Sequence, residues 1–97
     1  MHVISRKALI EFGKRHPDAV APLDAWYRIV KAAVYADAAA VRAQFGTASF
    51  LSRNRVVFNV GGNKYRLVVG FAYPTTAFVR HVLTHKEYDE RSNPDRL

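Results

Sequence analysis

The chain contains no cysteine, which excludes disulfide bracing and thiolate metal ligands. Acidic residues are scarce, eight against fifteen Lys and Arg, so the formal net charge is +7 and the pI is near 10.2. They are absent altogether between Asp37 and Glu87, where seven bases stand: Arg42, Arg53, Arg55, Lys64, Arg66, Arg80 and Lys86. No apolar run approaches the roughly 18 residues a membrane-spanning helix needs. Met1-His2-Val3-Ile4 lacks the basic flank and apolar core of a secretory leader. The expectation is a soluble cytoplasmic domain without a membrane partner. At 97 residues the chain is read as one domain, 1–97, with a modest core. Its charge points to nucleic acid, an anionic surface or an acidic protein, and says nothing about fold.

What is present divides by hydrophobic period. His2 to Ile4 reads as a short first strand, and Ser5 as the N-cap of a helix over Arg6 to Lys14 with Leu9 and Phe12 inward. His16-Pro17-Asp18 breaks that helix, because the residue before a proline is pushed out of the helical region. Leu23, Trp26, Tyr27, Val30 and Val34 keep the spacing of one apolar face on a second helix. Its start is either an Asp18 cap or Pro22 in the first helical position. Asp37 caps a third, short helix carrying Val41 and Phe45 and stopping at Gly46. Trp26, Tyr27, Tyr65, Phe71 and Tyr73 share parity with the core and are assigned to packing.

From Arg53 the period becomes 2. Strands Arg55 to Val60 and Lys64 to Tyr73 flank Gly61-Gly62, which reads as a two-residue hairpin turn setting Val60 opposite Asn63, Phe58 opposite Tyr65 and Val56 opposite Leu67. The outward side then collects Arg55, Val57, Asn59, Lys64, Arg66, Val68, Gly70 and Ala72. A further strand, Ala77 to Leu83, follows Pro74-Thr75-Thr76. With Tyr73 opposite Thr76, Phe78 meets Phe71, Val82 meets Leu67, and His81, Leu83 and His85 lie beside Arg66 and Lys64. A one-residue slip exchanges His81 for Arg80 on that side. The polar segment after Thr84, with Asn93-Pro94 near its end, reads as a short helix or an irregular tail.

Arginines on an exposed strand are ordinarily solvated or guard an edge. These share one parity with no acid between them, the arrangement a phosphate backbone would match. RNA is cleavable without metal by activating its own 2′-hydroxyl, which needs a base, an acid for the leaving oxygen and cations for the phosphorane charge. Histidine, with an ordinary pKa of about 6.5, suits proton transfer at neutral pH. His85 is the first candidate, with Lys86 and Tyr88 beside it able to share proton transfer once neighbouring cations lower their pKa values. Arg66 and Lys64 suit phosphate binding, Arg66 better because its planar fork takes two oxygens. The acid and base assignments among His85, Lys86 and Tyr88 stay open. The histidines at 2, 16, 81 and 85 lack metal-ligand spacing, and neither a metal nor a cofactor is expected.

Asn59-Val-Gly-Gly-Asn-Lys-Tyr-Arg-Leu67, Phe78-Val-Arg80 and Thr84-His-Lys-Glu-Tyr-Asp89 together resemble the HigB-type toxins of the RelE-like group. His16 to Ala19, Ala25 to Tyr27 and Val41 to Phe45 extend the resemblance over most of the chain. It implies an α+β fold of the RelE/ParE kind, with two or three N-terminal helices on one face of a small, mostly antiparallel sheet. It also implies an mRNA endoribonuclease toxin, often ribosome-dependent in this group, neutralised by a helix-turn-helix antitoxin of the HigA type. Carried over by position, the family's strand arginine corresponds to Arg66, bases of the preceding strand to Arg53 or Arg55, and its C-terminal motif to His85, Lys86 and Tyr88. Lys64, Arg80 and His81 complete the expected RNA-binding set. The competing readings are a ParE-like toxin that inhibits a protein target and an RNA-binding module without catalysis.

Overall fold

A computed structural model describes residues 1–91, and in it each change of period becomes a change of element. The order is β1 (His2–Ile4), α1 (Arg6–Arg15), a 3-10 turn (Pro17–Ala19), α2 (Val20–Ala32), α3 (Ala38–Gln44), β2 (Ser49–Phe50), β3 (Arg55–Val60), β4 (Tyr65–Ala72), β5 (Thr76–Thr84) and α4 (His85–Asp89). The five strands form one sheet in the order β1-β5-β4-β3-β2, antiparallel except for the β1–β5 pair. This is the expected α+β arrangement. Asn93-Pro94 and the end of the expected domain lie outside the described residues.

The inward residues of α1, α2 and α3 (Leu9, Phe12, Leu23, Trp26, Val30, Val41) meet Val56, Phe58, Val60, Leu67, Val69 and Phe71 of the sheet in one core. These three helices therefore cover one face of the sheet. Phe58 is gripped edge-on by Trp26 at 5.5 Å and Phe45 at 4.8 Å between ring centroids, geometry that adds to simple burial. Asp37 caps α3 as expected, accepting from the Ala40 N–H at 3.0 Å. Val34 does not join the α2 stripe: the chain turns extended at Ala33, and Val34 is left 78% exposed. Neither proposed start of α2 is used. The 3-10 turn runs straight into Val20, the Asp18 carboxylate accepts from Tyr65 and Lys64 instead, and Pro22 sits in the first turn, where its missing N–H has no intrahelical partner to lose.

The first hairpin is wider than a two-residue turn. Val60 pairs with Tyr65, Phe58 with Leu67 and Val56 with Val69, leaving Gly61 to Lys64 as the loop. Gly61, Gly62 and Asn63 take φ of +66°, +61° and +78°, so a run of left-handed residues opens the turn. The register moves by two residues, a full strand period, so the paired residues of β3 and β4 keep their predicted faces, while Lys64, expected on the outward side, falls in the loop. The second hairpin is not regular. Leu67 meets Val82 as expected, but beyond it Val68 pairs with His81 while Val69 pairs with Val79, which leaves Arg80 as an extra residue in a β-bulge. Phe78 consequently lies opposite Gly70, not Phe71.

The face opposite α1, α2 and α3 is not wholly open. Val57, Val68 and Leu83 are buried there, with Leu51 and Tyr88 packed on them, so α4 and the β2–β3 loop roof a second, smaller core.

Candidate functional site

The bulge resolves the choice between Arg80 and His81 by admitting both. His81 follows Val68, whose neighbours along β4 on the same face are Arg66 and Gly70. Arg80 crosses Gly70, its Nε 3.1 Å from where a Cβ on that glycine would stand, and Gly70 pairs on its other side with Arg55. A side chain at position 70 would separate Arg80 from this surface. Arg53 enters from the β2–β3 loop, where Arg53 and Asn54 both have left-handed backbones at φ of +60° and +58°. Non-glycine residues hold such angles at a cost of order 1–3 kcal/mol each and are common at functional sites.

The electrostatic result is a crowd of like charges. Burial, then the positive charges of Arg91, Arg55 and Arg80, push the His81 imidazole below its ordinary value, so it is neutral at physiological pH. Burial, with Arg80 and Arg53 nearby, also pulls Arg55 down from its ordinary value. Arg91 is the one member the sequence reading missed. Its signal lay in the short helix after Thr84, which folds the chain back toward β5.

That helix is set by a capping box: Thr84 Oγ1 accepts from the Glu87 N–H at 3.1 Å, and Glu87 Oε1 accepts from the Thr84 N–H at 2.9 Å. His85 opens the helix, donates its backbone N–H to the Lys64 carbonyl at 2.9 Å, and places Nδ1 2.6 Å from Asp89 Oδ2. A carboxylate at that distance fixes the ring's orientation and leaves Nε2 as its free nitrogen. Tyr88 turns onto the smaller core, whereas Lys86 is 87% exposed and 4.0 Å from Glu90.

Arg66 and Lys64 stand apart from the crowd. Arg66 is only 9% exposed, with Nη1 donating to the Asn63 and Tyr65 carbonyls at 3.1 and 3.2 Å and Nη2 to Asn63 Oδ1 at 2.9 Å. Its fork therefore clamps the wide turn. The Lys64 ammonium goes to the Asp18 carboxylate at 3.2 Å, on the helical side, where the Tyr65 hydroxyl also binds. Of the expected site residues, the fold gathers Arg53, Arg55, Arg80 and His81 into one group, sets His85, Lys86 and Tyr88 on α4, and directs Arg66 and Lys64 into local contacts.

Residues 19–91 match the HigB toxin family, described as the RelE-like toxic component of a toxin–antitoxin system. The mRNA interferase HigB of Escherichia coli O6:H1 is 30% identical over 93 residues, spanning 93% of this chain and 90% of that protein. The mRNA interferase toxin HigB of Escherichia coli K12 is 32% identical over 93 residues, spanning 92% and 88%. The mRNA interferase HigB of Shigella flexneri has the same identity and coverage. Among the described residues, no helix is long and apolar enough to cross a membrane.

Proposed function

This chain belongs to the HigB toxin family, the RelE-like toxic components of toxin–antitoxin systems, and on that premise we propose that it cleaves mRNA on the face of its sheet opposite α1, α2 and α3. Relatives that span most of its length are mRNA interferases, so the substrate class and the enzymatic activity follow from kinship. The observation that carries the location is the assembly of Arg55, Arg80 and Arg91 around a neutral His81, with Arg53 beside Arg55. A concentration of positive charge of this kind attracts a phosphodiester, whose oxygens match the guanidinium forks.

In this reading the arginines hold the scissile phosphate. A histidine accepts the proton of the adjacent 2′-hydroxyl, whose oxygen attacks phosphorus to form a phosphorane. The 5′-oxygen then leaves with a proton from a general acid, giving a 2′,3′-cyclic phosphate and a free 5′-hydroxyl, and the arginines offset the charge that accumulates between these steps. His81 is favoured as the base because it is neutral and sits among the phosphate-binding groups. His85, steered by Asp89, is favoured as the acid, with Lys86 and Tyr88 as its neighbours on α4. Arg66 supports the site by bracing the turn whose Lys64 carbonyl anchors His85. No step requires a metal ion. The proposal extends to cutting on the ribosome, in the cytoplasm, and to neutralisation by a helix-turn-helix antitoxin of the HigA type.

Incubating the purified protein with RNA, with and without translating ribosomes, and analysing the ends tests this reading. Cyclic phosphate ends that vanish in His81→Ala or His85→Ala support it. Full growth arrest by both variants would remove the imidazoles from the mechanism. Growth arrest without RNA cleavage would instead favour a protein-inhibiting toxin.

A further inference from the structure

On the face opposite the arginines, α1 and α2 leave an unfilled groove of about 380 Å³. Leu9, Gly13 and Leu23 lie at its base and Tyr27 at one side, while Ile10 and Val20 stand on its lips, 50% and 53% exposed. Singly exposed apolar side chains are ordinary, but Ile10 and Val20 join Leu9 and Leu23 along one cleft, and it is a contiguous apolar surface of this kind that marks an interaction site. Arg6, Lys14 and Asp24 also border the groove, with Arg6 3.9 Å from Asp24 and Lys14 3.7 Å from Glu11, both pairs on exposed side chains that hold each other weakly. Between residues 6 and 32 the helical layer carries six Lys and Arg against three acids, Glu11, Asp18 and Asp24. Asp18 is already engaged with Lys64 and Tyr65.

We infer that this groove is the seat of an amphipathic helix from the cognate antitoxin, with apolar residues three or four apart filling the cleft and acidic residues on its flanks. The inference rests on the family reading only in identifying a co-produced protein partner. Helix-in-groove recognition suits the dimensions, since α1 has 10 residues and is about 15 Å long, which accommodates about three turns of a partner helix lying beside it. Charge selects between occupants. A second copy of this chain would bring a further net charge of +7 to a face that is already basic, whereas an acidic helix is attracted to it. The groove and the arginine group lie on opposite faces of the sheet, so the helix and RNA need no residue in common.

The test uses the full chain and the purified antitoxin encoded with it. Ile10→Asp puts a carboxylate on the apolar lip, and Lys14→Glu reverses a bordering charge on a side chain 69% exposed, so the second variant is informative even if the first does not fold. Each is expected to weaken antitoxin binding by about tenfold or more in calorimetry, and to release growth arrest from neutralisation while the toxicity of the chain expressed alone is unchanged. Hydrogen exchange should slow along α1 and α2 when the antitoxin binds. Unchanged affinity in both variants, or protection confined to the sheet face, would overturn the inference. So would a dimer of the free chain that Ile10→Asp converts to monomer, because that assigns the groove to self-association. If the wild-type chain fails to arrest growth, the ribonuclease reading fails, while calorimetry with the antitoxin still decides the groove.

Discussion

Replacing Arg80 with alanine removes one of the arginines whose charges converge around Arg55 and His81, and the consequences can be worked out from its position in the bulge. If Arg53, Arg55, Arg80 and Arg91 each neutralise one phosphate, the logarithm of RNA affinity should fall with the logarithm of salt at a slope of about −2.8, using about −0.7 per contact on a single strand. Over a range of about 50 to 200 mM salt the wild type should then lose about 50-fold in affinity, against about 20-fold for Arg80→Ala, whose slope is about −2.1. Stability should not fall with affinity. Arg80 is exposed and its neighbours repel it, so thermal unfolding should stay in place or move up. The His81 imidazole should recover toward its ordinary value, because one of the cations depressing it is gone. The assay is fluorescence anisotropy of a labelled oligonucleotide with 2′-deoxy substitution at the cleavage position, repeated across salt concentrations and paired with thermal melts. An unchanged slope would refute the phosphate assignment. A stability loss above about 2 kcal/mol would show that Arg80 is structural, well beyond the usual range for a surface substitution.

His81 also has a signature in stability. Since its folded value lies below the ordinary 6.5, the unfolded chain binds the proton first as pH drops. Its contribution is present above the unfolded value and lost as pH falls through the folded one, so His81→Gln should flatten that part of the stability–pH curve measured by denaturant melts. Asp18 behaves analogously at lower pH: hydrogen bonds from Tyr65 and then Lys64 hold its carboxyl below its ordinary value, and Tyr65→Phe should reduce the stability lost on acidification through that range. Thr84→Val removes the cap of a five-residue helix and should cost about 1 kcal/mol while lowering cleavage more than RNA affinity, because His85 loses its placement but the arginines do not. Equal loss of binding and cleavage in that variant would count against a proton-transfer role for α4.

Much of this architecture is legible because its signals are local. The apolar period of α2, the cap at Asp37, the alternation of β3 and β4 and the glycine turn each depend on a few neighbouring residues, and together they determine that helices cover one face while bases collect on the other. Even the misjudged turn did no harm, since a shift of two residues preserves the side on which Arg55, Asn59 and Arg66 emerge. What tertiary structure alone decided is which bases share a site. The extra residue at Arg80 gains its place only when β5 is paired to β4, and Gly70 makes room for it from a different strand. Arg66, the most prominent candidate in the motif, turns back to Asn63 because a left-handed loop offers its carbonyl and side-chain oxygen within reach. Lys64 is captured by Asp18, a residue 46 positions earlier. Periodicity assigns a side chain to a face, but the partners it finds there are contributed by strands and helices remote in the chain, and electrostatic grouping is a property of that three-dimensional neighbourhood.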